Sequence, residues 1–361
     1  MSFSGSYRSE DVTFLLTQLE AQEFTSVHDK ERLIQSGQRH YSQMLSPESP
    51  PSRRYMAVFE DACRANNARM ALDCLRLASL IAARREGDIT VVSLARAGTP
   101  VGVVVTRLLR EVFGRAAKHY CVSIVRDRGI DWVALRHILA GGHAPESIVF
   151  VDGWTGKGVI ARELALSVSA FNASEKSRID NGLYVLSDLA GAAACAASGD
   201  DYLIPSSILN ATVSGLVSRT VLDERIGPQD FHGCVYYGEF AQHDQSQRFA
   251  DEVAALALAR AHDVPAAAPL DAHAAAQRSR AYLDGAMARY GIADVNLVKP
   301  GIGEATRVLL RRVPRLLVLR TRGAPDVAHL EVLAEEKQVP VEIDPDLPYH
   351  AVSLIRSASD G

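Results

Sequence analysis

The feature that most constrains the fold is an alternation of apolar strands and helices between residues 89 and 186. Residues 89–94, 120–125, 147–152 and 182–186 are β-rich runs with no polar alternation. That is the pattern of strands covered on both faces. Helical stretches at 100–113, 131–139 and 158–170 fall between them. Strands alternating with helices predict a parallel sheet wound in βαβ units.

The flanking regions are read more coarsely. Residues 11–16 open a short helix or strand, and 46–54 form a proline- and serine-rich turn. Residues 55–86 read as a pair of helices, with Met70, Leu72, Leu75, Leu77 and Leu80 at helical spacing. Residues 189–250 are less regular. An alanine- and proline-rich linker spans 262–276. A second βαβ-like unit follows, with strands at 295–298, 316–319 and 339–343 and helices at 303–312 and 327–337. A chain of 361 residues exceeds what one core organises, so two domains are expected. The boundaries are 1–255 for the first, 256–284 for a linker and helix, and 285–361 for the second.

Two strand-to-helix turns carry the chemistry. After the strand ending in Asp152 comes Gly153-Trp154-Thr155-Gly156-Lys157-Gly158. Glycines let the backbone approach an anion, and the helix start presents free N–H groups. The spacing is not that of a P-loop, which needs G-x-x-x-x-G-K-[ST]. The other turn, Arg96-Ala97-Gly98-Thr99-Pro100, follows residues 89–94 in the same way. In an open α/β sheet both lie at the carboxyl ends of the strands, where ligands bind. The alternative for each is a turn with no ligand. Arg126-Asp127-Arg128-Gly129 follows another strand and is either an anion-binding loop or a solvated one. Asp200-Asp201 and Ser206-Ser207 are left without an assigned role.

These stretches resemble a known family. Residues 152–158 resemble the phosphoribosyl-pyrophosphate site of type I phosphoribosyltransferases, and Arg96, Ala97, Gly98 and Thr99 resemble their pyrophosphate loop. More closely, the chain resembles a bacterial family of tellurium-resistance and stress operons. That family is described both as a phosphoribosyltransferase and as the StiP-type cysteine protease. The matching stretches lie at 6–16, 94–100, 125–131, 151–158 and 201–207. The resemblance implies a parallel-sheet, type I phosphoribosyltransferase-like core that transfers ribose 5-phosphate to a base-like acceptor. Asp152 would bind the ribose, with Gly153, Thr155, Gly156, Lys157 and Gly158 around the 5-phosphate. Arg96 to Thr99 would hold pyrophosphate, and Arg126 and Arg128 would steady its departure. Magnesium would be carried by the substrate rather than by protein ligands. Gly153 departs from the family pattern, which has a second acidic residue there.

The alternatives are a cysteine protease and a noncatalytic nucleotide or RNA sensor. Cys195 lies among small residues and Cys234 follows His232-Gly233, without a recognised signature. The C-terminal unit resembles the Pelota-type RNA-binding domain, a small α/β fold. Gly301, Gly303, Glu304 and Arg307 are the positions this carries over for RNA. Residues 287–322 hold eight Lys/Arg against two Asp/Glu, a local basic footprint in a chain of net charge -4.

Five scattered cysteines without a CxxC pair point to reduced thiols and no zinc site. The absence of a secretory pattern at the start predicts a cytoplasmic protein, and no apolar run is long enough for a membrane span. A homodimer stays open.

Overall fold

The computed structural model describes residues 3–20, 26–262, 264 and 270–356. Residues 263 and 265–269 of the linker expected at 262–276 lie outside the described residues, and from Ala272 onward that stretch is helix. In chain order the first elements are β1 (Thr13–Leu15), β2 (Thr17–Gln18), α1 (Val27–Gln35), α2 (Arg53–Arg84), β3 (Ile89–Leu94) and α3 (Thr99–Glu111). Then come β4 (Ala117–Val122), β5 (Ile124–Val125), β6 (Gly129–Ile130), α4 (Trp132–Ala140), β7 (Ile148–Thr155) and α5 (Val159–Glu175). β8 (Leu183–Asp188), β9 (Cys195–Ser198), β10 (Gly233–Cys234) and α6 (Ser246–Leu258) complete the larger unit.

Six strands form one sheet in the order β1-β4-β3-β7-β8-β9, with every pair parallel. β3 and β8 are buried along their whole length, as continuous apolar runs require. α2, α3 and α6 cover one face through Met70, Leu77, Val103, Leu108, Phe249 and Val253. α4 and α5 cover the other, with Leu135, Ile138, Leu164 and Phe171 against Val92 and Phe150.

Residues 55–86 prove to be one helix rather than two. Residues 53–84 contain no glycine or proline to break them, and the Ser52 hydroxyl caps the start by accepting from the Tyr55 N–H. Between sheet and α3, His119 is buried with both ring nitrogens bonded, Nδ1 to the Asp11 carbonyl (2.9 Å) and Nε2 to Ser93 Oγ (2.8 Å). Burial lowers it to about 3, so the ring is a neutral structural link.

The smaller unit comprises α7 (Ala272–Tyr290), β11 (Val298–Pro300), α8 (Ile302–Arg311), β12 (Pro314–Leu319), α9 (Ala328–Glu336), β13 (Val341–Ile343) and β14 (Ala351–Ile355). Its sheet order is β11-β14-β12-β13. β12-α9-β13 is a parallel βαβ unit, whereas β14 runs antiparallel between β11 and β12. The chain is thus an α/β protein with a parallel central sheet and a smaller C-terminal α/β domain. Among the described residues no helix is long and apolar enough to cross a membrane.

Candidate functional site

Ser93 of β3 lies opposite Val151 of β7, so the turns after these two strands leave the sheet at the same edge. They bound a cleft of about 180 Å³. Arg96 and Ala97 line it from the first turn and Asp152 and Trp154 from the second; Arg219 and, from the C-terminal unit, Arg307 close it.

The first turn closes tightly over the neighbouring strand. A Cβ on Gly98 would stand 2.7 Å from the Val151 carbonyl oxygen, a contact only glycine avoids. Thr99 is buried with its hydroxyl 3.2 Å from the Cys121 sulfur. Arg96 already has partners, Glu48 Oε1 at 2.5 Å and the Val217 carbonyl at 2.6 Å.

The second turn is covered by the C-terminal unit. Gly158 takes a left-handed φ of 69° at the start of α5, and its N–H donates to Thr155 Oγ1 at 2.9 Å. A Cβ on Gly156 would lie 2.8 Å from the Pro300 carbonyl oxygen and 3.3 Å from Glu304 Cγ. Lys157 Nζ donates to the Val295 carbonyl at 2.7 Å. Gly303 lies against the Trp154 indole, leaving no space for a Cβ, and the Arg307 guanidinium sits 4.3 Å from the ring centroid. Gly301, with φ 89°, lets α8 begin beside Asp201. Asp201 comes from the core, yet its Oδ1 accepts from the Ile302 N–H (2.9 Å) and its Oδ2 from the His350 N–H (2.8 Å). The glycine turn of the core and the glycine-bearing helix start of the second unit therefore face each other.

Charge is concentrated at this contact. Burial pushes Asp152 up to about 6, against the pull of Arg307 and the Gly153 N–H. Burial lowers Lys157 to about 7, with the nearby Lys299 acting in the same direction. For Glu304 burial acts upward, but Arg307, Lys299 and Lys157 together hold it below the usual carboxylate range. Arg219 is lowered to about 10 by burial, and its Nη2 has no hydrogen-bond partner.

Arg126 and Arg128 are not part of the cleft lining. Arg126 stacks on Tyr41, 5.5 Å from the ring centroid, and reaches Asn296 Oδ1 at 3.3 Å, while Arg128 is exposed. Asp152 is the one carboxylate among the described lining residues, and position 153 is glycine. Among the described residues no three His, Cys, Asp or Glu side chains converge as metal ligands. The donors present do not fit a protein-held magnesium.

All five cysteines are reduced and buried. Burial pushes Cys63, Cys121 and Cys234 up to about 12 and also raises Cys74 and Cys195. Cys121 and Cys234 do not line the cleft, but charged residues of its lining act on both thiols. Asp152 acts on the first, and the Arg96 charge partly offsets the burial of the second. His232 precedes Cys234 by two residues and lies just before β10. Its Nδ1 is 2.8 Å from Ser123 Oγ, and its backbone N–H donates to Asp131 Oδ2 at 2.7 Å. Cys195 lies on the edge strand β9, with Arg84 the charge that offsets its burial.

A family profile described as "Tellurite-like stress resistance cysteine protease StiP" matches residues 5–254. The Cysteine protease StiP of Acinetobacter baylyi (strain ATCC 33305 / BD413 / ADP1) is 41% identical over 372 residues, which covers 99% of this chain and 96% of that protein. This chain belongs to the StiP family. A second profile, described as "PELOTA RNA binding domain", matches residues 277–357.

Membership in the StiP family corrects the enzymatic expectation. The family and its relative bear the name of a cysteine protease, a hydrolase. Phosphoribosyl transfer, glycosyltransferase activity and phosphoribosyl-pyrophosphate binding are therefore given up. The geometry agrees, because Arg96 is bonded within the protein and Gly156 and Lys157 are covered by the second unit. Sequence reasoning assigned no role to Glu48, Asp201 or Arg219. Each acts through residues distant in the chain, so no local spacing marks it.

Proposed function

We propose that this StiP-family chain is a thiol-dependent peptidase, with Cys234 as nucleophile and His232 as its base. The observation that carries the reading is the 41% identity, over nearly the whole chain, to a protein named as a cysteine protease. Cys234 is preferred over Cys195 because a histidine stands two residues before it and the charge of the cleft residue Arg96 acts on its thiol. The Asp131 charge favours the protonated imidazole, although burial has the larger effect and lowers the ring.

In such a reaction His232 takes the thiol proton, and the thiolate attacks the peptide carbonyl carbon. The C–N bond breaks, and the amine leaves with the proton from the imidazolium. Water then cleaves the thioester, releasing the carboxylate and restoring the thiol. Burial pushes the Cys234 thiol up to about 12, so in the proposed reaction the thiol has to be uncovered to form a thiolate. Loss of hydrolysis of a fluorogenic peptide mixture is expected to follow alkylation of Cys234 by iodoacetamide, tracked by peptide mass. Full hydrolysis after complete Cys234 alkylation contradicts the reading.

The type I phosphoribosyltransferase-like label is kept for architecture alone, on the strength of the paired strand-to-helix turns. We also propose that the C-terminal domain binds RNA through Gly301, Gly303, Glu304 and Arg307. The support is its match to an RNA-binding profile and its basic composition.

A further inference from the structure

We infer that the peptidase core and RNA compete for one surface of the C-terminal domain, so that RNA binding releases this domain from the cleft. The inference rests on the proposed RNA-binding role of that domain. A ten-residue helix such as α8 presents unpaired N–H groups and a positive dipole end, the setting that receives phosphate. Here the position is already filled. The Asp201 carboxylate from the core accepts from the Ile302 N–H at 2.9 Å and from the His350 N–H at 2.8 Å. A carboxylate with two backbone donors offers the same contacts that an RNA phosphate would make.

Of the neighbouring cations, Arg307 is engaged by the core, and both Arg307 and Lys299 are paired within the C-terminal domain. Arg307 lies over Trp154 of the core and pairs with Glu304 at 3.0 Å. Lys299 is 3.9 Å from Glu304. Gly303, the position where a nucleic-acid backbone would approach most closely, is covered by the Trp154 indole. The positions expected to face RNA are thus contact residues of the docked core. A nucleic acid cannot occupy them while Asp201 and Trp154 remain in place.

Exclusion is reciprocal: whatever weakens docking raises the undocked fraction and so strengthens RNA binding. Arg307 is also a wall of the cleft. Its withdrawal widens the opening above Asp152, which couples RNA occupancy to access for a peptide.

The test is fluorescence anisotropy with a short hairpin RNA carrying an internal bulge, on the full chain and two undocking variants. Gly156→Val alters a core residue and places a side chain against the Pro300 carbonyl and Glu304 Cγ, while every residue of the C-terminal domain is kept. Asp201→Ala removes the resident carboxylate. Both are expected to bind the hairpin about tenfold or more tightly than the unaltered chain, and adding Arg307→Ala should abolish the gain. In a Trp132→Phe background Trp154 is the sole tryptophan, and RNA should shift its emission to longer wavelength. Circular dichroism checks that each variant is folded. Equal affinity in the unaltered chain and both folded variants overturns the competition while leaving RNA binding intact. Absence of RNA binding in every folded form overturns the RNA reading, and this inference falls with it.

Discussion

Replacing Cys234 by alanine is expected to lower peptide hydrolysis by about a thousandfold or more, while Cys195→Ala leaves it within about twofold. Removing a covalent nucleophile eliminates a pathway rather than weakening a contact, so its effect exceeds that of any positioning residue. His232→Ala should cost a comparable factor, because without it the thiol keeps its proton. The variants are compared at matched concentration by initial rates on one fluorogenic peptide, with far-ultraviolet dichroism to confirm folding. Full activity in Cys234→Ala with loss in Cys121→Ala would move the nucleophile to Cys121. Full activity in both would end the thiol mechanism here.

The second large effect is on stability. Arg107 of α3 reaches Asp11 with two bonds, Nε to Oδ1 at 2.7 Å and Nη2 to Oδ2 at 2.5 Å, and Asp251 of α6 with Nη1 at 2.7 Å. One guanidinium thereby ties the segment before β1 to two helices. Asp11 is only 2% exposed. Arg107→Ala leaves that carboxylate buried without a counter-charge, which costs about 3–5 kcal/mol. The urea midpoint should fall accordingly, and Arg107→Leu combined with Asp11→Leu should recover much of the loss, since a well-packed apolar pair is often neutral. A loss below about 1 kcal/mol for Arg107→Ala would place the pair among weak surface contacts.

The parallel sheet was legible wherever burial wrote it into local composition. β3, β7 and β8 are continuous apolar runs, and their helices follow with the expected spacing. β9 escaped notice because Cys195-Ala196-Ala197-Ser198 is built of small residues with no β-branched signal. β14 escaped because its partners, β11 and β12, lie far back in the chain and insert it between them. The long α2 was divided in two, although no breaker interrupts it.

The candidate site was half legible for a related reason. Gly156, Gly301 and Gly303 do mark places where something approaches the backbone closely. Local sequence cannot name the visitor. Each glycine accommodates part of the other unit, Pro300 at Gly156, Asp201 at Gly301 and Trp154 at Gly303, rather than a sugar phosphate. The pair His232 and Cys234 was visible in the sequence, but Ser123 and Asp131, which bond His232, come from separate segments that no local spacing marks.

The C-terminal domain covers the core turn at residues 152–158 through Pro300, Gly303 and Arg307. Hydrogen exchange followed by mass spectrometry on the full chain reads that directly. Amides from Trp154 to Ala161 should exchange slowly and become faster in Asp201→Ala, as expected for local opening of a docked contact. Exchange there as rapid as at the exposed Gly141-Gly142 turn, and unchanged in Asp201→Ala, would contradict it.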